Sequence, residues 1–363
     1  MYYKTNFMRY LFLFFMLQFS LVAMAQNRFE EVDKRVKAIP SEQSKSIEKL
    51  SEWFNSNFEK EEECYRAIFF WVANNLVYDI KSLSQPAVEE PKPVIVKKAF
   101  ERRMAVCEGY SGLMDTLCQL SGITTALVSG YTRNNGQLDI TPHMWMAAYI
   151  NGAWTLSDPT WASGAIMNNK FVKQFEEKYF LVPAQRMIQS HIPYDPMWQL
   201  LKKPLTHKAF IQLTNDEKNN VDFNFNDSIY HHLNAGKAAQ YQNELRRIRN
   251  QGFNHQALGQ RLNYLEGTLK VVQHNRTVAE LRIVTDVFNQ SIELFNSSVN
   301  LLNNRADSKS VNTKLHEAKE KLFQAKERLL AIEDSPAALN QNMASMMNSI
   351  KQLEENIQQL LTR

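Results

Sequence analysis

Two residues, Asn151-Gly152, constrain this chain more than any others. They separate strand-like runs at residues 143–150 and 153–159, and an Asn-Gly pair so flanked is the strongest short-range signal for a two-residue hairpin turn. With these as the turn residues, Ile150 faces Ala153. The register then carries back to Trp145 opposite Asp158 and His143 opposite Thr160. Side chains alternate between the faces of a strand, so His143, Trp145 and Asp158 share one face. His143 and Asp158 become diagonal neighbours, with Cβ atoms roughly 7 Å apart and a carboxylate able to reach an imidazole.

A carboxylate beside a histidine fixes its tautomer and stabilises its protonated form. Such a pair needs a nucleophile, and Cys107 is suited to the part. Residues 108–120 read as a helix ended by Gly122 just past its last turn. Cys107 therefore sits at a helix N-terminus, where partial positive charge favours a thiolate and backbone N–H groups can bind an oxyanion.

The surrounding segments predict an α+β fold. Residues 60–78 carry Tyr65, Ile68, Phe69, Val72 and Leu76 at spacings of three and four, a buried helix with Glu61, Glu62 and Glu63 in its first turn. Three prolines between Ser82 and Pro93 mark a loop, and a short amphipathic stretch, residues 94–104, leads to Cys107. Residues 124–131 are β-branched and apolar, hence a strand, and Asn134-Asn135-Gly136 is a turn. Residues 171–213 complete the same domain.

Beyond Asn215 proline almost vanishes and Asn, Gln, Leu, Lys and Glu dominate. Leu281, Phe288, Phe295 and Leu302 recur every seven residues, as do Leu315, Leu322 and Leu329, with Ala318, Ala325 and Ile332 at the alternate positions. Met343, Met346, Ile350, Leu353, Ile357 and Leu360 alternate threes and fours, and Pro336 suits the start of that last helix. The pattern predicts an α-helical bundle or coiled-coil domain, read either as self-packed or as an arm for a protein partner.

The N-terminus has the layout of a secretory signal peptide: Lys4 and Arg9, an apolar run from Tyr10 to Val22, then Ala23-Met24-Ala25 as a small-x-small cleavage site. The run is short for a membrane span. Cleavage after Ala25 leaves a chain with no integral membrane segment in an extracytoplasmic location, periplasmic or secreted. The expected division is a signal peptide over 1–25, an α+β domain over 26–214 and a helical domain over 215–363.

Three cysteines, Cys64, Cys107 and Cys118, leave at least one free thiol and make no disulfide scaffold. On one continuous helix Cys107 and Cys118 stand roughly 16 Å apart, too far to bridge. Cys64 and Cys118 read as small buried hydrophobes. No ligand spacing points to a metal, so none is assigned. No glycine-rich phosphate loop occurs, and a net charge of +4 without a basic stripe gives no ground for a nucleic-acid partner.

The segment AVCEGYSGLMDTLCQLSGITTALVSGY, followed by HMWMAAYINGAWTLSDPTW, resembles the core of transglutaminase-like cysteine domains, in particular the bacterial and kyphoscoliosis-peptidase-like branch. RAIFFWVANNLVYD resembles the helix before that core, and YFLVPAQRMIQSHIPYDPMWQLL the segment after it. The resemblance covers residues 28–213. It implies a papain-like arrangement of helices packed on an antiparallel sheet, with Cys107 as nucleophile, His143 as general base and acid, and Asp158 as its orienting carboxylate. Trp145 and Trp161 would be substrate-binding wall aromatics. The implied chemistry needs no cofactor: a peptidase, amidase or amine-acceptor acyltransferase, a hydrolase when water is the acceptor. The extracytoplasmic address points to a protein or cell-wall peptide as the substrate. The alternative is a non-catalytic transglutaminase-like scaffold that engages partners through its C-terminal helices.

Overall fold

The computed structural model describes residues 28–84, 90–214, 222–333 and 335–362. The expected signal peptide lies outside them. The chain divides into two compact units: residues up to Ala235 with Arg246–Gly259, and Gly236–Leu245 with Gln260–Arg363.

The first unit is built on helix Glu61–Asn75, which leads into strand β1 (Val77–Tyr78). After helix Lys92–Arg102 comes β2 (Met104–Ala105), parallel to β1, with Val77 N–H donating to the Arg103 carbonyl at 2.8 Å and Asp79 N–H to the Ala105 carbonyl at 3.0 Å. That helix begins two residues before the stretch expected from periodicity, because Pro93 sits in its first turn, where the missing N–H is not needed. Helix Cys107–Leu120 follows directly, and Gly122 ends it in a left-handed conformation (φ 74°).

The main sheet contains β3 (Thr125–Asn134), β4 (Gln137–Ile150), β5 (Ala153–Ser157) and, after the small hairpin of β6 (Gly164–Met167) and β7 (Lys170–Lys173), β8 (His191–Pro193). Its order is β5-β4-β3-β8, antiparallel throughout. Both tight turns within this four-stranded sheet carry an Asn-Gly pair with positive φ at both residues, 48° and 80° at Asn135-Gly136 and 51° and 83° at Asn151-Gly152. That backbone twist matches the flanking strands.

The two sheet faces serve different cores, as the period-2 alternation requires. Met146, Ala148 and Ile150 pack with Tyr65, Ile68, Phe69 and Val72 of helix Glu61–Asn75 and with Leu113, Met114 and Leu117 of helix Cys107–Leu120. Trp145 and Ala147 face the other way, with Val128, Leu156, Met197 and Trp198. Arg66 is buried at the edge of the first core, where it binds Asp33 (2.8 and 2.7 Å) and Glu177 (2.6 and 2.7 Å) and is ringed by Phe29, Phe70, Phe175 and Phe180.

The composition change near Asn215 precedes helix Phe225–Asn234, whose Ile229 is buried in the same cluster as Trp198. In the second unit, part of helix Gln256–Asn303 and helices Ser308–Leu330 and Ala337–Leu361 share one core. Leu315, Leu322 and Leu329 are buried with Ala318 and Ala325, and Leu281, Phe288 and Phe295 pack against them. Leu302, the last of the first heptad series, is exposed. Ser291 Oγ donates to the Ala318 carbonyl at 2.7 Å, an approach that a small residue at 318 permits.

Candidate active site

Cys107 is the first residue of its helix, and the extended Val106 before it gives no side-chain cap. The β1–β2 pairing fixes the chain immediately ahead of it, so the half-buried thiol is held at the positive end of the helix. Ser111, one turn on, donates to the Met144 carbonyl at 2.9 Å and ties this helix to β4 beside His143.

His143 lies within β4, its side chain only 10% exposed, and its Nε2 is 2.7 Å from Asp158 Oδ2. Burial disfavours the charged ring, but the charge and hydrogen bond of Asp158, with a smaller share from Cys107, outweigh it and raise the His143 pKa well above the ordinary range. Asp158 moves the opposite way: burial opposes ionisation, yet His143 and then His191 hold the carboxylate in its charged form. Because Nε2 is committed to Asp158, the nitrogen left for the Cys107 thiol is Nδ1.

The hairpin register runs as expected from Ile150↔Ala153 to Met146↔Ser157. It stops before the expected Trp145–Asp158 and His143–Thr160 pairs. Asp158 is instead the N-cap of a short helix, Pro159–Ser163, with Oδ1 accepting from the N–H groups of Thr160 (2.8 Å) and Trp161 (3.1 Å). An aspartate followed by proline is a strong helix start, and here it overrides strand continuation.

Trp145 is fully buried and stacks behind His143, ring centroids 5.9 Å apart at 27°. It supports the imidazole and presents no surface to a substrate. Trp161 is half-buried, with its ring 5.9 Å from that of His143.

The matching family model is described as the transglutaminase-like superfamily and covers residues 48–159, which include Cys107, His143 and Asp158. This segment of the chain belongs to the transglutaminase-like superfamily. The transglutaminase-like segment is 32% identical over 159 residues to kyphoscoliosis peptidase of Homo sapiens, covering 41% of this chain and 23% of that protein. Hillarin of Drosophila melanogaster is 23% identical over 205 residues, covering 51% of this chain and 24% of its own. The chain thus spans about a quarter of the length of these curated relatives. Among solved structures, the periplasmic domain of TgpA from Pseudomonas aeruginosa is 20% identical with a TM-score of 0.26, covering 36% of this chain and 48% of that one.

One residue of the transglutaminase-like site escaped the sequence reading. His191, in β8, places Nε2 at 3.1 Å from the same Asp158 Oδ2 that binds His143. It lies outside the family match, and it arrives through the β3–β8 pairing, with Thr132 opposite His191, beside the point between Gly130 and Thr132 where the β3–β4 register shifts. Gly130 makes this crossing feasible: a Cβ there would stand 2.6 Å from Trp145 Cη2 and 2.1 Å from the Ile192 carbonyl oxygen. An isolated histidine ahead of Ile192-Pro193 carries no local signal that predicts this contact.

Among the described residues, His143, Asp158 and His191 are the group whose ligand atoms converge, all within 4.8 Å. Their donor chemistry suits hydrogen bonding better than metal binding. Oδ2 accepts from both rings, so each histidine carries a proton on the nitrogen that would have to give a lone pair to a cation.

Proposed function

We propose that the chain is a cysteine enzyme that transfers the acyl group of a peptide or protein amide through a thioester on Cys107. The observation that carries this reading is the 2.7 Å contact between His143 Nε2 and Asp158 Oδ2, which leaves Nδ1 for a thiol at a helix N-terminus.

In this reading the Cys107 proton rests on His143 Nδ1 before the attack, and the sulfur adds to the amide carbon as the thiolate. Asp158 stabilises the resulting imidazolium and keeps the ring in position. The carbonyl oxygen becomes an oxyanion at the start of helix Cys107–Leu120, where the Cys107 N–H is aligned with the helix dipole. Collapse breaks the C–N bond, and His143 returns its proton to the leaving amine, giving a thioester and a free amine. Water, deprotonated by His143, then releases a carboxylic acid; a primary amine in its place gives a new amide. The half-buried Trp161 beside His143 supports a role as the wall against which the incoming group packs.

Residues 4–25 support export, and with it an extracytoplasmic protein or cell-wall peptide as substrate. N-terminal sequencing of the exported chain should begin at Gln26. For the chemistry, the full chain is incubated with fluorescent glutamine- and alanine-containing peptides, with and without a labelled primary amine, and the products are weighed. Hydrolysis or amine incorporation that disappears in Cys107→Ala is the expected result. Persistent turnover in that variant, or none with any peptide, counts against the assignment.

A further inference from the structure

We infer that His191 is a positioning residue of this site: held as the Nε2–H tautomer by the Ser190 hydroxyl, it fixes the Asp158 carboxylate for His143. The inference rests on the Cys107–His143–Asp158 reading above and adds a fourth side chain to it.

Asp158 is buried and accepts four hydrogen bonds: Thr160 and Trp161 N–H on Oδ1, His143 and His191 on Oδ2. Four donors match the four lone pairs of a carboxylate, so the group is saturated. For His191 to be one of these donors its proton must be on Nε2. A neutral imidazole protonated there needs a donor opposite Nδ1, and Ser190 Oγ stands 2.8 Å from that atom. The serine's other contact, to the Met187 carbonyl at 3.5 Å, is too long to compete.

The surroundings keep His191 neutral. Its ring is buried between Trp161 (4.4 Å between centroids) and Trp145 (5.2 Å). The titratable groups facing it are Asp158, His143 and Tyr179. Burial, and behind it the positive charge on His143, depress its pKa despite the pull of Asp158. Burial first, then Asp158 and Glu176, push the Tyr179 phenol up to about 12, so it stays uncharged. His191 thus offers Asp158 a hydrogen bond without bringing a second cation.

The consequence is a division of labour between the two rings. His143 faces the thiol and changes protonation during reaction, whereas His191 does not. A carboxylate saturated by His191 keeps Oδ2 aimed at His143 Nε2 and is a poorer base than one bonded to His143 alone. That keeps the shared proton on His143.

The test reads alkylation of Cys107 by iodoacetamide across pH 4–10, in full-length chains carrying Cys64→Ala and Cys118→Ala, beside His143→Ala. This background reports the Cys-His pair itself: rapid low-pH alkylation lost in His143→Ala supports the underlying reading, and its absence overturns that reading on its own. On the same background, His191→Gln keeps an N–H near the position of Nε2, whereas His191→Phe keeps the ring and loses the donor. Positioning predicts that Gln stays within about threefold of the parent at pH 6 while Phe falls about tenfold or more, the loss of one hydrogen bond to a charged group. A packing role predicts the reverse order, and that order, or a Phe variant equal to the parent at every pH, overturns the inference. Ser190→Ala, which leaves the ring in place, should slow alkylation about threefold; no change there also counts against it. If His191→Phe fails to fold, long-range 1H–15N spectra of histidine-labelled parent protein decide. A proton on Nε2 with Nδ1 bare is expected for His191, and the other tautomer or an imidazolium overturns the assignment.

Discussion

Asp158 Oδ2 lies 2.7 Å from His143 Nε2 while Oδ1 of the same carboxylate caps helix Pro159–Ser163. One side chain thus closes a helix and orients the site histidine, and the two duties can be separated by experiment.

Asp158→Asn keeps an oxygen for the cap but turns an amide N–H₂ toward two histidines that are themselves donors. His143 must then give up its Nε2 proton or lose its partner. Cys107 reactivity and any amide turnover should fall about 10³–10⁴-fold, the scale on which a wrong tautomer acts in triad enzymes. Thermal melting run alongside should show a much smaller effect, because the N-cap acceptor survives. A variant that unfolds outright, or one that keeps full reactivity, would contradict this account of Asp158.

Stability should depend on pH in two directions. His143 has a folded pKa raised above its unfolded value of about 6.5, so its contribution is fully present below that pH and is lost as the pH climbs through the folded value. Asp158 has a depressed folded pKa, so its contribution is present above about 3.9 and is lost as the pH falls through the folded value. The Tm advantage of wild type over His143→Gln should therefore be greatest between roughly pH 4 and 6.5 and shrink on either side. An advantage that grows from neutral to alkaline pH would show that the ring is not held as the imidazolium.

The turn-driven parts of this architecture were open to reading from sequence, because their causes are local. Asn151-Gly152 set the β4–β5 register through backbone geometry, and the spacing from Cys107 to Gly122 marked a helix with the thiol at its start. The heptad leucines and alanines named much of the second unit's core for the same reason. Reading ran out where a second local rule competed, as at Asp158-Pro159, where capping ended the strand. It also failed where partners come from distant strands: the place of His191 depends on β8 joining β3 and on the bare backbone at Gly130.

The three thiols should behave differently. All are free; Cys64 and Cys118 are buried and Cys107 is half-buried. Burial pushes the Cys64 thiol up to about 11, against a small opposing hydrogen bond from Ser121, and burial followed by the charge of Asp115 raises Cys118 well above the usual range. Titration with Ellman's reagent at pH 7.5 should find one reactive thiol in the native protein and three in denaturant. EDTA should leave the native rate unchanged, since the converging groups bind one another. Acceleration by chelator would reveal a cation competing for them.

Arg66 connects stability to the site at a distance. It pairs with Asp33 and Glu177, and Glu177 begins the turn Glu177–Tyr179, whose Tyr179 carbonyl accepts the Asp158 N–H at 2.9 Å. Arg66→Met fits the cage of phenylalanines but leaves two carboxylates without a partner. The Glu177 side chain is 51% exposed and its share is screened by solvent, so the loss should come chiefly from Asp33. About 3 kcal/mol, or on the order of 10 °C in Tm, is expected by differential scanning calorimetry. A change under about 2 °C would mean that the aromatic ring of contacts, and not the ion pairs, holds this edge.

The double duty of Asp158 bears on how such domains age. Cys107 is a half-buried residue at a helix start, and replacing it deprives the architecture of little. Asp158 anchors a helix, two backbone amides and two imidazoles where it is fully buried, so its removal would be felt throughout that corner of the protein. In a lineage that abandoned its chemistry, selection would release the cysteine early and guard the aspartate long afterwards. A kept aspartate is then a record of ancestry and architecture, and the residue at position 107 is the better witness to living chemistry.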